Sequence, residues 1–380
     1  LVMNKKRIVM MVANEVSSDP RVTKEAAELA ASYDVTVIGL RRMEKVADSE
    51  RLQDFDIVRA DVRDLQRKHR VYRKLAELIK LGFRAVKEKN VASFHAHDFE
   101  MLPFAYIASR VRKARLVYDS HELWIEQRAD FPKWFKWIVK KVEGFFIRQA
   151  DRVITVNRSI SKELKMRYRL DQSPLILHNF TKKIDLPSIA NADQDKVIVL
   201  YHGGYIKDRG LNELIEAAYH FPDRVILQLR GMGPLEPELR KLAAPLIQSG
   251  KVQFLAPVPM NRLVHAAREA HIGIIPYQPT CLNNLYSLPN KLSEYAMAGL
   301  SVCASDLPEI NALNNSVRFG ELFDPYDPKS IAAAVSRMTA DKQILKQFQI
   351  RAWNWAQTTG NWEHERSKLL NLYDKLLGEA

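Results

Sequence analysis

Short runs of β-branched and apolar residues alternate with longer stretches of helical periodicity along nearly the whole chain. The runs predict strands over 7–12, 34–40, 93–97, 115–119, 152–156 and 175–178. Helical patterns fall between them, near 23–32, 67–89, 100–111, 134–148 and 159–168. A polar segment, 181–196, breaks the alternation. It resumes with strands over 197–201, 224–229, 252–254, 271–275, 301–304 and 321–323. Strand and helix alternating in this way predict an α/β protein of two doubly wound, Rossmann-like domains, each a parallel sheet covered on both faces. The expected division is a first domain over 1–182, a linker over 183–195 and a second domain over 196–355.

In open parallel sheets, ligands collect beyond the carboxyl ends of the strands. Asn14 and Glu15 follow the first strand, His97 and Asp98 close the third, and His121 and Glu122 follow the fourth. In the second half His202-Gly-Gly204, Gly231-Met-Gly233 and Tyr277 hold the corresponding places. Two domains facing one another with these edges would enclose a cleft. The segment 287–299 predicts a helix with Ser287 near its cap, Pro289 in its first turn and Gly299 at its end. Asn290, Lys291 and Glu294 then share a face near the positive helix end, which suits a phosphorylated ligand carrying sugar hydroxyls. The plainer alternative is a well-capped surface helix.

At 380 residues the chain is too long for one ordinary core. Its 58 Lys and Arg against 45 Asp and Glu give a net charge of +13, which favours nucleic acid, an anionic membrane or phosphorylated ligands. Cations crowd the stretch 63–89, among them Arg67, Lys68, Arg73, Lys74, Lys80 and Arg84, with Leu75, Ile79 and Phe83 interleaved. The stretch 131–146 sets Trp134, Phe135 and Trp137 beside Lys133, Lys136, Lys140 and Lys141. Both suit the headgroup layer of an anionic bilayer; the alternative has the aromatics in the core and the lysines as a solvated face. No groove-reading or RNA-binding signature accompanies the charge, so nucleic acid is not an expected partner. No run approaches the ~20 apolar residues of a membrane span, and the first residues read as a strand, not a signal peptide. Cys281 and Cys303 lack metal-ligand spacing, so a reducing cytoplasm is the simplest compartment. The Asp-x-Asp pairs Asp54/Asp56 and Asp193/Asp195 lie before a strand and in the linker, so no catalytic metal is expected.

The order and spacing of several segments resemble the retaining glycosyltransferases of family 4, which have the GT-B fold. These are Asp19-Pro-Arg-Val-Thr-Lys-Glu25, His95-Ala-His-Asp98, Val117-Tyr-Asp-Ser-His-Glu122 and Ala150-Asp-Arg-Val-Ile-Thr-Val156. Tyr201-His-Gly-Gly204 with Arg209-Gly210, Gly231-Met-Gly-Pro234, the 289–299 helix and Gly320-Glu-Leu-Phe-Asp-Pro325 continue the likeness. The residues from Asn361-Trp-Glu363 onward look like the family's closing helix, expected over 356–380 and crossing back to the first domain.

The resemblance implies a nucleotide-sugar donor in the second domain and an acceptor against the first. Glu294 matches the second glutamate of the family's Glu-x7-Glu motif, whose carboxylate takes the ribose hydroxyls. Arg209 matches the basic residue that holds the donor diphosphate and stabilises it as it leaves, with Lys291 assisting. Gly203 and Gly204 let the backbone approach the phosphates, and Arg230, Gly231, Gly233 and Asn290 complete the implied donor contacts. His121 matches a histidine beside the transferred sugar, and Asp98 lies toward the acceptor. Each has a plainer alternative: a satisfied histidine, a helix cap for Asp98, a surface cation for Arg209, a tight turn for Gly231 and Gly233.

The chain departs from the family at two positions. Tyr286 stands eight residues before Glu294, where the first glutamate belongs, and Gly204 stands where an arginine is usual. Lys291 or Lys207 would then supply the missing charge, and the Ser-Leu-Pro-Asn-Lys-Leu pattern marks a branch with a variant donor site. The implied activity is retaining transfer of a hexosyl or N-acetylhexosaminyl group from a UDP- or GDP-linked sugar, with no cofactor. The expected acceptor is lipid-linked or an oligo- or polysaccharide at the cytoplasmic membrane face. The alternatives are a degenerate scaffold, or an epimerase or inverting transferase on the same architecture.

Overall fold

The computed structural model describes residues 5–17, 19–65, 70–128, 130–185 and 195–378, and the chain divides into two compact units. Unit 1 takes Leu1–His178 with Arg366–Ala380, and unit 2 takes Asn179–Glu365. Most of the expected linker, together with Arg67, Lys68 and Asp193, lies outside the described residues.

Unit 1 opens with β1 (Arg7–Met11), α1 (Pro20–Ala30), β2 (Asp34–Arg41), and a hairpin of β3 (Ser49–Leu52) and β4 (Phe55–Asp61). It continues through α2 (Arg70–Lys87), β5 (Val91–His97), α3 (Asp98–Arg112), β6 (Arg115–Ser120), α4 (Lys133–Ile147), β7 (Arg152–Thr155), α5 (Arg158–Tyr168) and β8 (Leu175–Ile176). The eight strands form one sheet in the order β3-β4-β2-β1-β5-β6-β7-β8, parallel except for β3. Ile8 through Met11 are fully buried, as a central strand covered on both faces requires. The edge hairpin is not foreseen by the pattern: Ser49-Glu-Arg-Leu52 is polar and exposed, and its turn places Gln53 at φ 55°. A short charged strand is a common way to blunt a sheet edge. Helix α1 starts where Asp19 accepts hydrogen bonds from the backbone N–H groups of Arg21 and Val22, with Pro20 in its first turn.

Unit 2 has β9 (Val197–Gly204), α6 (Leu211–Ala218), β10 (Val225–Met232), α7 (Glu236–Leu242), α8 (Ala244–Gln248), β11 (Val252–Leu255) and α9 (Leu263–Ala267). Then come β12 (Ile272–Ile275), α10 (Leu282–Leu285), α11 (Asn290–Met297), β13 (Ser301–Ser305), α12 (Pro308–Val317), β14 (Leu322–Phe323), α13 (Pro328–Ala340) and α14 (Lys342–Thr358). Its sheet is wholly parallel, in the order β11-β10-β9-β12-β13-β14. Alternate residues of β9 enter opposite cores: Val199 and Tyr201 pack with Leu214 and Ile331, while Leu200 packs with Leu292 and Tyr295. Strands β9 and β10 are longer than the pattern predicts, so Gly203, Gly204 and Gly231 sit on paired strand ends and not in loops.

The expected closing helix over 356–380 is interrupted. Helix α14 ends at Thr358, and α15 (Trp362–Gly378) starts after Gly360, whose Cα abuts the Trp355 ring so closely that a Cβ would lie 2.5 Å from it. The side-chain oxygen of Asn361 accepts from His364 N–H at 2.9 Å, capping the new helix. Within unit 1, α15 buries Tyr373, whose hydroxyl lies 2.9 Å from His95 Nδ1.

Candidate functional site

In unit 2 the carboxyl ends of β9 and β12 and the first turn of α11 hold the donor-side candidates. Gly203 has φ +141°, which few other residues adopt, and a Cβ there would meet Lys291 Cε at 2.6 Å. The lysine therefore lies against bare backbone. Its ammonium donates to Tyr277 Oη at 2.8 Å, and the Arg209 guanidinium sits 4.1 Å from the centroid of the same ring. Gly210 at φ +59° allows this approach, since a Cβ would fall 2.1 Å from the Pro276 carbonyl oxygen. Burial alone would raise the Tyr277 phenol, but Lys291 and Arg209 outweigh it and hold the group below its usual value of 10. Two cations on one phenol make a place that favours negative charge.

Glu294, one turn after Lys291 on α11, meets His202 Nε2 through Oε2 at 2.8 Å. His202 is buried on β9, and its backbone N–H donates to Tyr295 Oη at 2.9 Å. Asn290 opens α11 and is exposed. Lys207 is exposed on the turn after β9, whereas Lys291 lies directly against Gly203. One expectation here needs correction. Ser287 does not cap α11: the cap position is Pro289, and Ser287 Oγ has no hydrogen-bond partner among the described residues. Gly231 and Gly233 let the backbone pack closely at these strand ends, because a Cβ on either would fall within 2.4 Å of the carbonyl oxygen of Gly203 or Tyr205. Tyr286 ends α10 just before this helix.

In unit 1 a buried polar chain crosses the ends of β5 and β6. Asp98 has φ 62°, strained for an aspartate. It does not cap α3; its Oδ1 accepts from His121 N–H at 3.1 Å, and Oδ2 lies 3.3 Å from His121 Nδ1. His121 Nε2 is 3.1 Å from Asp119 Oδ2 and 3.0 Å from His97 Nδ1. Arg21 grips Asp119 with two 2.8 Å bonds, from Nε to Oδ2 and from Nη2 to Oδ1, and lies 3.0 Å from Glu25. Burial disfavours the charged imidazole of His121, yet Asp98 and Asp119 hold it up at about 9. This favours the imidazolium at neutral pH, with Nδ1 facing Asp98 and Nε2 facing Asp119, and disfavours a role as general base. Burial, with the charge of Asp119, raises Glu25 to about 8. Burial lowers both His95 and His97.

Donor atoms of Glu25, His95, His97 and Asp119 lie within 4.8 Å of one another, a grouping that spacing along the chain did not suggest. The guanidinium of Arg21 already stands among them as the cation, hydrogen-bonded to Asp119 and within ion-pair distance of Glu25. A cavity of about 760 Å³ lies elsewhere in unit 1, by the amino ends of β7 and β8. Of its five cations, Arg148, Arg169 and Lys375 sit at helix C-termini, where they offset the carbonyl dipoles.

These shifts carry a pH signature. His121 binds its proton more tightly folded than unfolded, so its contribution is complete below about 6.5 and is lost as pH rises through about 9. Glu25 acts in the same sense between 4.5 and about 8. His95 and His97 oppose below 6.5, because the fold holds them neutral. Thermal unfolding across this range is expected to show stability declining above pH 6.5, with a shallower decline in His121→Gln. A rise in stability from pH 6.5 to 9 would contradict the assignment.

The residues missed from sequence are those paired across the fold. Arg21, Glu25, Asp119 and His202 lie within recognised segments without an assigned role, and Tyr277 was placed only at a strand end. Arg21 and Glu25 do leave a trace: two charges one turn apart on the buried face of α1.

Two family models match the chain. One, described as Glycosyltransferase Family 4, covers residues 21–181, and the other, Glycosyl transferases group 1, covers 196–341. One match falls largely in each unit and together they span most of the sequence, so the chain belongs to the glycosyltransferases of GT-B type. No curated protein matches it by sequence. Among solved structures it is similar to a sucrose-phosphate synthase from Thermosynechococcus elongatus, at 16% identity and TM-score 0.80, covering 99% of this chain and 100% of that one. A glycosyltransferase from Rickettsia africae matches at 15% identity and TM-score 0.73, with 100% of both chains covered. Anabaena HepE in complex with UDP-glucose matches at 14% identity and TM-score 0.71, covering 97% of this chain and 99% of that chain.

Proposed function

We propose that this glycosyltransferase moves a hexosyl or N-acetylhexosaminyl group, with retained configuration, from a UDP- or GDP-linked sugar to a lipid-linked or polysaccharide acceptor. The convergence of Arg209 and Lys291 on Tyr277, beside the bare backbone of Gly203, carries this reading. As the bond from the sugar's anomeric carbon to the phosphate oxygen breaks, negative charge gathers on the diphosphate, and two fixed cations stabilise it there. The acceptor hydroxyl attacks the same face and passes its proton to the departing phosphate oxygen. His121 and Asp98 orient the sugar and acceptor without taking a proton. The UDP-glucose bound by HepE supports a uridine donor.

Glu294 accepts the ribose hydroxyls in this reading, with His202 fixing its carboxylate. Calorimetric titration should then show UDP or GDP bound more tightly than the 2′,3′-dideoxy analogue, by roughly ten- to a hundredfold, as hydrogen bonds to a charged group allow. Glu294→Ala should erase that difference. An unchanged preference in the variant would remove Glu294 from the ribose.

The protein acts, in the same proposal, peripherally at the inner face of the cytoplasmic membrane. No described helix is long and apolar enough to cross a membrane. Helix α4 presents Trp134 (66% exposed) and Trp137 (63%) outward, with Phe145 beside them, and α2 presents Tyr72, Leu75 and Phe83. Many of the neighbouring cations are spent within the unit: Lys136 and Lys140 on Glu126, Lys74 on Glu100, Lys80 on Asp64, and Arg84 on Glu88. Insertion of aromatic side chains should therefore contribute more than charge. Sedimentation with vesicles containing phosphatidylglycerol should pull down the wild type at moderate salt and lose most of the Trp134→Ala/Trp137→Ala protein. Equal recovery of both proteins would count against this surface.

A further inference from the structure

The proposed transfer makes no use of the cavity in unit 1. It opens at the amino ends of β7 and β8, where Asp151, Arg152 and Ser173 line it. The polar chain of Asp98, Asp119 and His121 stands at the carboxyl ends of β5 and β6. In a parallel sheet these are opposite ends, separated by about a strand length, roughly 20 Å for six residues.

Three segments distant in the chain bring cations to this cavity: Arg148 after α4, Arg169 after α5 and Lys375 near the end of α15. With Arg152 and Lys368 they make five, against two carboxylates, Asp151 and Asp171. Asp151 is already committed, to Arg115 Nη1 at 2.9 Å and to the Leu116 N–H at 2.8 Å. Arg169 and Lys375 form no ion pair and no side-chain hydrogen bond among the described residues. Arg148 donates from Nη1 to the Tyr168 carbonyl, at a long 3.4 Å. Elsewhere on unit 1 exposed cations do pair, as Lys80 does with Asp64 and Arg128 with Asp130. A helix C-terminus explains one cation at a time. It does not explain three such ends meeting at one cavity with an excess of positive charge. Like charges gathered round one opening repel, and an anion placed among them relieves that repulsion.

Size and the neutral lining narrow the anion. A volume of about 760 Å³ falls within the range of small-molecule sites and far exceeds what a bare ion fills. Guanidinium groups suit phosphate oxygens, which they meet through paired N–H bonds. Gln172 and Asn371 add neutral donors and acceptors that suit hydroxyl groups, and buried Ile147 and Leu372 add apolar contact for a carbon skeleton. Lys165 donates to Ser173 Oγ at 3.2 Å, bringing a further cation beside the cavity.

We infer that this cavity binds a phosphorylated sugar, its phosphate held among Arg148, Arg169 and Lys375 and its hydroxyls met by Gln172 and Asn371. It is a second ligand site, at the end of the sheet away from His121 and Asp98. Because Lys375 belongs to α15 and the arginines follow α4 and α5, the bound phosphate ties the closing helix to both.

The test is calorimetry on the full chain carrying Arg209→Ala/Lys291→Ala, so that phosphate held by the donor-side cations does not contribute. Glucose 6-phosphate should bind this parent saturably, and glucose should not. Adding Arg169→Gln/Lys375→Gln should lower the affinity for glucose 6-phosphate by roughly ten- to a hundredfold. Both replaced residues are exposed, so the melting temperature without ligand should match that of the parent. With ligand, the parent's melting temperature should rise and that of the cavity variant should not. Equal affinity for glucose 6-phosphate in the two proteins, or no saturable binding in the parent, overturns the site and leaves the donor reading standing. Inorganic phosphate bound as tightly as glucose 6-phosphate overturns the role of the sugar. Glycerol 3-phosphate, the head of a phospholipid, bound more tightly than glucose 6-phosphate would assign the cavity to a lipid head group and overturns the sugar phosphate.

Discussion

Lys291→Ala should lower the turnover of donor by roughly 10²–10³-fold, the usual cost of losing one preorganised group that faces developing charge. The geometry explains why one lysine matters this much. Its ammonium is pinned by Tyr277 Oη at 2.8 Å and by the missing side chain of Gly203, so it is already aimed and little reorganisation accompanies the reaction. Gly203→Ala should approach the same loss by another route, since its methyl would stand 2.6 Å from Lys291 Cε at a φ of +141°. A spectroscopic readout accompanies the kinetics. Tyr277 is held below 10 chiefly against burial by Lys291 and Arg209, so its phenol absorbance should titrate at higher pH in Lys291→Ala. Kinetics near wild type in both variants, with the Tyr277 titration shifted, would show the lysine tuning the tyrosine and not the reaction.

Arg21→Met should destabilise unit 1 by about 3–5 kcal/mol, the typical result of breaking a buried ion pair from one side. For a unit of this size that corresponds to a melting shift on the order of 10 °C. Arg21 is nearly inaccessible, bonds both oxygens of Asp119 and donates through Nη1 to the Leu177 carbonyl at 2.8 Å. Its loss leaves Asp119 charged in a dry site, with His121 and His97 as the cationic or N–H partners that remain beside it. Arg21→Met combined with Asp119→Leu should recover most of the stability, because neither charge then remains buried. The pair would recover fold without activity, since His121 loses one of the two carboxylates that hold it protonated and oriented. A single Arg21→Met variant as stable as wild type would show that the network is not cooperative.

The parts legible in sequence are those whose signal is local. Ile8 to Met11 and Ile272 to Ile275 read as strands because burial on both faces makes them apolar without a break. The spacing of Lys291 and Glu294 placed them on one helical face, and the fold keeps them there. Ser49 to Leu52 gave no pattern, because an exposed edge strand needs none. Arg21 finds Asp119 ninety-eight residues away, and His202 finds Glu294 ninety-two away, so nothing near either partner announced the other. Tyr277 is similar: its role depends on Arg209 and Lys291 arriving from two other segments. The strand lengths were underestimated for the reason that makes Gly203 and Gly231 important. Glycines read as turns, whereas here a Cβ on Gly231 would sit 1.9 Å from the Gly203 carbonyl oxygen, and their absence of side chain lets the two strand ends pair.

The most direct measurement is slow hydrolysis of a nucleotide-sugar panel without acceptor, comparing wild type with Arg209→Ala/Lys291→Ala. The account predicts that one UDP- or GDP-linked sugar is consumed by wild type, releasing the sugar with retained configuration, and that the double variant neither hydrolyses nor binds it. Hydrolysis at an equal rate in the double variant, or release with inverted configuration, would contradict it.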